Sequence, residues 1–318
     1  MLKDRAEGAL FYRLTFDSKN QQTGSRRARR ILVWLGTGAF LFMFLALHVM
    51  AGMFSKYDNP NRLGAQVHVT TASGFTLRWA IHRVANADCN LVFVHGSPGG
   101  AGVWQAQFVN PFPGANLIAY DRPGFGGSGP AQGQPHLEEQ VEALMTLLDH
   151  ITTNQVLLVG HSYGSPICLL AALEHPDRIG GVLLIGGDVD PAKENPMWIE
   201  YLIGWRLDSW LLPRSLRQCN REMLTIRGDL EIMQRKLPNL SVPVVMLHGA
   251  RDPLVPVENV AWLQGQLATV GEKKLFTSIV HPDYNHFIPW EHPDAVAAAI
   301  AVLKQKVQTK TKSVFSGS

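Results

Sequence analysis

Cysteine is scarce in this sequence, and the spacings that hold metal ions are absent. The chain of 318 residues contains three cysteines, Cys89, Cys168 and Cys219, so that at least one must remain unpaired in any intramolecular scheme. No C-x-x-C or H-E-x-x-H spacing occurs, although there are 12 histidines. A glycine-rich segment at 123–129 (PGFGGSG) lacks the Lys-Ser/Thr pair of a phosphate-binding loop. We therefore predict no metal site and no cofactor.

An excess of positive charge is also absent outside the N-terminus. Residues 1–30 contain eight Lys or Arg against three Asp or Glu, a net charge of +5, so the other 288 residues carry −2 of the chain's +3. Proteins that bind nucleic acid present a basic surface to the phosphates. The main part of this chain has no basic excess, which excludes nucleic acid as an expected partner.

Charged residues are absent from residues 31–54 (ILVWLGTGAFLFMFLALHVMAGMF) when histidine is taken as neutral. As a helix these 24 residues would span about 36 Å, which exceeds the roughly 30 Å of a bilayer core. A helix that packs on the core of a soluble protein normally has a polar face, and this segment has none. We predict a transmembrane anchor; a cleaved signal peptide is the alternative, although its apolar region would be only about 7–15 residues long.

The basic segment 1–30 predicts the orientation of this anchor, because positive residues stay on the cytoplasmic side. We expect a single-pass membrane protein whose following domain lies on the non-cytoplasmic side, which in a bacterium is the periplasmic face of the inner membrane. Residues 55–65 are polar and predict a linker.

The segment GHSYG (160–164) lies between a predicted strand and a predicted helix. Residues 155–159 (QVLLV) form a short apolar run, as in a strand buried on both faces. After Gly164, apolar residues recur at helical spacing until Pro176. A serine on so tight a turn projects its hydroxyl away from the sheet, which points to Ser162 as a nucleophile.

An acid and a histidine follow this serine in the order that serine hydrolases with such a turn require. Residues 242–247 predict a buried strand that runs into a loop with Asp252. Residues 275–280 predict a strand, followed by a loop with His286 and a helix from about Pro289. Upstream, residues 91–94 predict a buried strand directly before a glycine-rich turn that contains Ser97.

With these motifs the sequence resembles the α/β-hydrolase superfamily over about residues 66–307. The motifs are HGSPGG (95–100), YDRPGFGGS (120–128), GHSYG (160–164), HGARDPLVP (248–256) and NHF (285–287). The resemblance implies an α/β-hydrolase fold: a mostly parallel, eight-stranded sheet flanked by helices, with a helical cap at about 190–238. An antiparallel pair with its turn at Ser73-Gly74 opens the domain, and residues 308–318 are expected to be a disordered tail.

The resemblance also implies a serine hydrolase. Ser162 would be the nucleophile, His286 the general base and Asp252 the acid that orients the imidazole. The backbone N–H groups of Ser97 and Tyr163 would form the oxyanion hole. His95 and the pair Asp121-Arg122 are expected to order the loops around that turn.

Alternatives remain open for two of these residues and for the reaction. Asp188, which follows another buried strand, is the alternative acid. His281, at a strand end, and His292, inside the following helix, are the alternative bases. We expect a small-molecule substrate that is an apolar carboxylic ester; an amide, a thioester or a carbon–carbon bond is the alternative, as is a non-catalytic receptor built on the same fold.

Overall fold

The computed structural model of the chain describes residues 29–46, 48–49, 52, 59–151, 155–194, 212–269 and 275–316. Two compact units share the chain, Met1–Met50 and Ala51–Ser318. In the first unit, helix α1 (Arg29–Ala46) has a mean hydropathy of 1.5 over 18 residues and buries none of them. By length and composition, this helix is able to cross a membrane. The predicted anchor at 31–54 lies partly outside the described residues, and residues 1–28 lie wholly outside them.

The second unit contains an eight-stranded sheet in the order β1-β2-β4-β3-β5-β6-β7-β8. Strands β1, β2 and β4 pair antiparallel, and all the other neighbours are parallel. The strands are β1 (Gln66–Ala72), β2 (Phe75–His82), β3 (Cys89–Val94), β4 (Ala115–Tyr120), β5 (Val156–His161), β6 (Ile179–Ile185), β7 (Val244–Gly249) and β8 (Phe276–His281). The predicted α/β-hydrolase fold is confirmed.

Helices cover both faces of this sheet. They are α2 (Gln105–Val109), α3 (Leu137–Ile151), α4 (Gly164–Glu174), α5 (Arg214–Lys236), α6 (Glu258–Thr269), α7 (Ile288–Glu291) and α8 (Pro293–Ser316). Short 3-10 turns occur at Pro60–Leu63, Ala101–Trp104, Pro191–Lys193 and Leu237–Asn239. The alternation of strand and helix explains why most strands are parallel, since each crossover passes over one face of the sheet.

The core consists of two apolar clusters, one on each face of the sheet. In β3, Val92 and Val94 belong to one cluster, while Leu91 and Phe93 belong to the other. This alternation follows from the two-residue repeat of a strand. Both sets are apolar because the central strands are buried on both faces, as the uninterrupted runs in the sequence predict.

Several local predictions are confirmed. The first hairpin turns at Ser73 and Gly74, which both have positive φ, 51° and 81°. Helix α4 ends before Pro176. Strand β7 begins at Val244 rather than at residue 242, because Pro243 has no N–H to donate to the sheet.

Two expectations about the C-terminal region are wrong. Helix α8 continues to Ser316, where a disordered tail from residue 308 was expected. The tail contains no proline, and Gly317 is its first glycine, so nothing in it breaks the helix before that point. His292 lies outside both flanking helices, as the C-cap of α7 directly before Pro293.

The predicted helical cap falls partly outside the described residues, because residues 195–211 are not among them. The described remainder of the cap segment consists of the turn Pro191–Lys193, helix α5 and the turn Leu237–Asn239.

Candidate active site

Ser162 occupies the turn that joins β5 to α4. Its φ of 52° lies in the left-handed region, which few residues other than glycine adopt. The Ser162 N–H donates to the carbonyl of Ile185 at 2.9 Å, and its carbonyl accepts from Ser165 N–H at 2.8 Å. Strain of this kind persists only where the surroundings enforce it, and it is the backbone geometry of a nucleophile elbow.

Three glycines make this turn possible. A Cβ on Gly160 would lie 2.5 Å from the carbonyl oxygen of Gly164, and one on Gly164 would overlap the carbonyl of Val94. A Cβ on Gly96 would lie 2.9 Å from Cβ of Ser162. The missing side chains therefore let the strand, the helix and the turn after β3 approach one another closely.

His286 and Asp252 are in direct contact. His286 Nδ1 lies 2.7 Å from Asp252 Oδ2, and the other carboxylate oxygen accepts from the N–H groups of Leu254 at 2.9 Å and Val255 at 2.8 Å. Burial raises the pKa of Asp252, but the hydrogen bond and charge of His286, together with these N–H groups, lower it below the usual 3.8. The carboxylate is therefore ionised at neutral pH and able to stabilise an imidazolium.

His161 supports the backbone of His286. Its Nε2 lies 3.0 Å from the carbonyl oxygen of His286, and the two ring centroids are 4.8 Å apart. Burial, and then the charge of His286, lower the pKa of His161 to about 3. The ring is therefore neutral at pH 7, and its Nε2–H donates to that carbonyl. Sequence analysis missed this role, because position 161 is the variable residue of the G-x-S-x-G pattern.

The two proposed oxyanion donors follow two neighbouring strands of the sheet, β3 and β5. Ser97 follows β3, and Tyr163 is the N-cap of α4. Within the described part of the chain, neither backbone N–H donates to a protein acceptor. Both are therefore available to a substrate oxygen, and the dipole of α4 favours negative charge next to Tyr163.

Asp121 orders the loops behind this turn. Its Oδ1 accepts from Ala101 N–H at 2.9 Å, and its Oδ2 accepts from Gly127 N–H at 3.1 Å and from Arg78 Nε at 2.6 Å. One buried carboxylate thus connects three separate segments. This is the ordering role that the sequence indicated for the pair Asp121-Arg122.

A cavity of about 330 Å³ brings these residues together. Ser97, Ser162, Tyr163 and His286 all line it. Most of its other wall is apolar, from Val103, Met223, Leu254, Val255, Phe287 and Trp290. Among the described residues, no group of three His, Cys, Asp or Glu is arranged to hold a metal ion.

The alternative acid, Asp188, lines the same cavity but is not the partner of His286 Nδ1. It is 8% exposed, and its Oδ1 has no hydrogen-bond partner among the described residues. Burial raises its pKa well above 3.8, and the hydrogen bond and charge of Glu194 raise it further. The raised pKa disfavours the ionised form of Asp188, which is the form that would stabilise an imidazolium.

The alternative bases lie away from the cavity wall. His281 stacks on Tyr284 with ring centroids 4.2 Å apart, and His292 stacks on the same ring at 3.6 Å. Of the three histidines considered, His286 alone lines the cavity with Ser162.

Comparison with known sequences finds similarity to hydrolases. A family model described as the alpha/beta hydrolase fold matches residues 90–221. The 2-hydroxymuconate semialdehyde hydrolase of Pseudomonas sp. (strain CF600) is 35% identical over 241 residues, covering 62% of this chain and 84% of that protein. The pimeloyl-acyl-carrier-protein methyl ester esterase of Yersinia enterocolitica is 25% identical over 268 residues, covering 73% of this chain and 99% of that protein.

Other similarities extend over less sequence or concern the fold alone. Protein ABHD8 of Mus musculus is 27% identical over 210 residues, 55% of this chain and 47% of that protein, so the chain spans about half the length of that relative. The solved structure of a thermophilic esterase from Thermogutta terrifontis superposes with a TM-score of 0.61 at 23% identity. That match covers 76% of this chain and 99% of the esterase.

Proposed function

Because the chain belongs to the alpha/beta-hydrolase family, we propose that it is a serine hydrolase that cleaves a carboxylic ester through an acyl-enzyme. One arrangement supports this proposal above all others. Ser162 and His286 line a single cavity, and His286 Nδ1 lies 2.7 Å from the carboxylate of Asp252.

In the proposed reaction, Ser162 Oγ attacks the ester carbonyl carbon while His286 Nε2 takes the hydroxyl proton. Asp252 stabilises the imidazolium, and the N–H groups of Ser97 and Tyr163 stabilise the negatively charged carbonyl oxygen. His286 then gives its proton to the departing alcohol, which leaves Ser162 acylated. A water molecule attacks the acyl carbon with the help of His286, the proton returns to Ser162 Oγ, and the carboxylic acid leaves.

The wall of the cavity supports an apolar substrate. Most of the side chains around the catalytic groups are apolar, and two of these, Leu254 and Phe287, are 64% and 41% exposed. Apolar pockets of a few hundred Å³ typically enclose small organic ligands, and a few polar groups orient them. We therefore expect an ester with an aliphatic or aromatic acyl group.

Helix α1 supports attachment to a membrane. It is long and apolar enough to cross a bilayer, and the net charge of +5 in residues 1–30 favours a cytoplasmic N-terminus. In this arrangement the hydrolase domain is on the non-cytoplasmic side, facing the periplasm if the source is a bacterium.

Hydrolysis of a carbon–carbon bond is the second candidate. It is favoured by the 35% identity to the 2-hydroxymuconate semialdehyde hydrolase. The two candidates use the same three side chains, so the fold does not distinguish them. The two candidates are distinguished by kcat/KM for p-nitrophenyl esters and for a dienol keto acid. A higher kcat/KM for the keto acid would favour the second candidate.

Labelling with a fluorophosphonate tests the proposed function, because this reagent reacts with activated serines. We expect the purified protein to acquire one label, located at Ser162 by mass spectrometry, and Ser162→Ala to acquire none. Ser165→Ala is the matched control: Ser165 is three residues away and buried, with its hydroxyl donating to Gly160 O at 3.1 Å. A wild-type protein that is neither labelled nor active on esters would support a receptor and overturn the proposal.

A further inference from the structure

Glu222 connects helix α5 to the turn that carries Ser97, although it is remote from this turn in sequence and does not line the cavity. It is fully buried, at 0% exposure. Its Oε1 and Oε2 accept from the two terminal nitrogens of the Arg122 guanidinium, at 2.6 and 3.1 Å. Gln218 and Gln140 donate to Oε1 at 3.0 and 3.3 Å. A carboxylate held in this way keeps a guanidinium in one orientation.

Arg122 in turn holds two carbonyl groups of the turn after β3. Its Nε donates to the carbonyl of His95 at 3.0 Å, and one terminal nitrogen donates to the carbonyl of Gly96 at 3.1 Å. The guanidinium also lies over the rings of Phe125 and Tyr163, 4.7 and 4.9 Å from their centroids. Its position is therefore determined on every side by buried groups.

His95 adds a second donor to the same carbonyl. Its Nε2 accepts from the Arg122 N–H at 3.0 Å, so the ring proton is on Nδ1, which donates to Gly96 O at 2.7 Å. Burial, and then the charge of Arg122, hold the pKa of His95 well below its usual value, so this tautomer persists at neutral pH. Two donors thus converge on Gly96 O.

The carbonyl of Gly96 and the N–H of Ser97 belong to one peptide group. A peptide group is planar, so fixing the direction of the carbonyl also fixes the direction of the N–H. Hydrogen bonds to the carbonyl also polarise the group and make its N–H a better donor. An oxyanion donor contributes only if it is aimed at the place where negative charge develops.

We infer that Glu222 is a positioning residue, which holds Arg122 so that Arg122 and His95 fix the peptide plane that presents the Ser97 N–H. This inference rests on the proposed function, because it assigns Ser97 to the oxyanion hole. Glu222 contacts neither the substrate cavity nor the reacting atoms. It acts through two intermediaries on one backbone donor.

Helix α5 is itself bound to residues 132–135, which follow the glycine-rich segment 123–129. Gln218 donates to Gln134 O at 2.8 Å, Arg221 to Gln132 O at 2.6 Å, and Thr225 Oγ1 to Pro135 O at 3.0 Å. The next residue after Glu222, Met223, lines the cavity. One helix therefore contributes both to the wall that contacts the substrate and to the support of the oxyanion turn.

Glu222→Gln tests the inference, since glutamine keeps the shape of the side chain but removes its charge. We expect kcat to fall about ten- to a hundredfold while KM changes less than threefold. This is smaller than the hundred- to thousandfold loss typical of removing a donor outright, because the Ser97 N–H is misdirected rather than absent. A trifluoromethyl ketone, which forms a negatively charged adduct with the serine, should lose affinity by the same factor as kcat.

Asp229→Asn is the matched control on the same helix. Asp229 also carries a carboxylate that reaches another segment, accepting from Leu137 N–H at 3.1 Å. We expect its kcat and its affinity for the ketone to stay within twofold of the wild-type values. Rates are expressed per active site titrated with fluorophosphonate, so that partial unfolding does not enter the comparison.

Arg122→Lys is the second variant, in case Glu222→Gln does not fold. It keeps a positive charge beside Glu222, but a lysine cannot bridge a carboxylate and two carbonyls. We expect the same fall in kcat at constant KM. Suppose that each of the two variants that folds has the kcat and the ketone affinity of Asp229→Asn, while the wild type is active. The positioning role is then overturned and the proposed function stands. If the wild type neither hydrolyses esters nor reacts with fluorophosphonate, the proposed function fails and the positioning role fails with it.

Discussion

His286 Nδ1 lies 2.7 Å from Oδ2 of Asp252, while the nearby carboxyl of Asp188 is held by Glu194 instead. The two acidic residues follow different strands and both lie close to the base. Their surroundings separate their protonation states: backbone N–H groups stabilise the Asp252 carboxylate, whereas burial favours the neutral form of Asp188.

We expect Asp252→Asn to reduce kcat by about four orders of magnitude, because an asparagine cannot stabilise the imidazolium or hold the required tautomer. Asp188→Asn should change kcat less than fivefold, since Asp252 and not Asp188 is the partner of His286 Nδ1. Steady-state kinetics on a p-nitrophenyl ester measure both. A larger loss in Asp188→Asn than in Asp252→Asn would reverse the assignment of the acid.

Substitution of Gly96 by alanine should impair both stability and activity. The new Cβ would lie 2.9 Å from Cβ of Ser162 and 3.1 Å from the carbonyl of His161. We expect a loss of about 1–3 kcal/mol in the free energy of unfolding, typical of overpacking, and a fall in kcat of at least tenfold.

Gly228→Ala provides the opposite case in the same protein. Gly228 lies in the interior of α5, is exposed, and has open space around its Cα. Alanine should raise the free energy of unfolding by about 0.5–1 kcal/mol and leave kcat unchanged. Urea denaturation of both variants checks the pair; an equal effect of the two substitutions would contradict the steric role of Gly96.

Acidification should destabilise the protein through His161. The pKa of His161 is about 3 in the folded protein and 6.5 in its ordinary state, so the unfolded chain binds a proton over this interval and the folded one does not. The stabilisation by neutral His161 is therefore complete above pH 6.5 and is lost as the pH falls towards 3, by roughly 5 kcal/mol in total.

His161→Gln should remove this part of the pH dependence, because glutamine keeps a donor for the carbonyl of His286 but does not titrate. The measurement is the free energy of unfolding by urea between pH 3.5 and 8. Parallel curves for the variant and the wild type would show that His161 does not titrate in this way.

The rim of the cavity should determine the preference for acyl length. Phe287 lines the cavity and is 41% exposed, so it offers an apolar surface to the end of a long chain. We expect Phe287→Ala to raise KM for an octanoate ester about tenfold and to leave KM for an acetate ester unchanged, since burial of apolar area scales with chain length. Val109→Ala, at an exposed apolar residue (65%) that does not line the cavity, is the control.

Membrane attachment should depend on the N-terminal unit. The full chain is expected to sediment with membranes and to resist extraction at alkaline pH, whereas residues 59–318 should remain in solution with the same kcat. Release of the full chain into the soluble fraction, with a shortened N-terminus by mass spectrometry, would show that the helix is a cleaved signal peptide.

Much of the fold is predictable from sequence because the central strands are buried on both faces. Runs such as 156–159 and 91–94 have no polar residue to break them, and each is followed by a glycine-rich turn. The serine turn, Asp252 and His286 follow β5, β7 and β8, and parallel strands have their carboxyl ends at one edge of the sheet. The sequence alone therefore predicts that the three side chains lie close together.

The support of the oxyanion turn was not predictable in this way. Glu222 is one of several charged residues on an amphipathic helix, and its partner Arg122 is 100 residues away. Periodicity gives the face of a helix that is buried, but it does not indicate which distant side chain lies opposite. The expectation of a disordered tail failed for a different reason: residues 308–316 contain neither proline nor glycine, so α8 continues through them.

The hydrogen bonds between α5 and residues 132–135 have a consequence for recombining this hydrolase with its relatives. Donors on the helix match carbonyls at Gln132, Gln134 and Pro135, which are 84 to 90 residues earlier in the chain. A chimera that imports the helix without its loop would leave these acceptors without donors. Exchange of substrate preference between homologues should therefore succeed only when both segments come from the same parent.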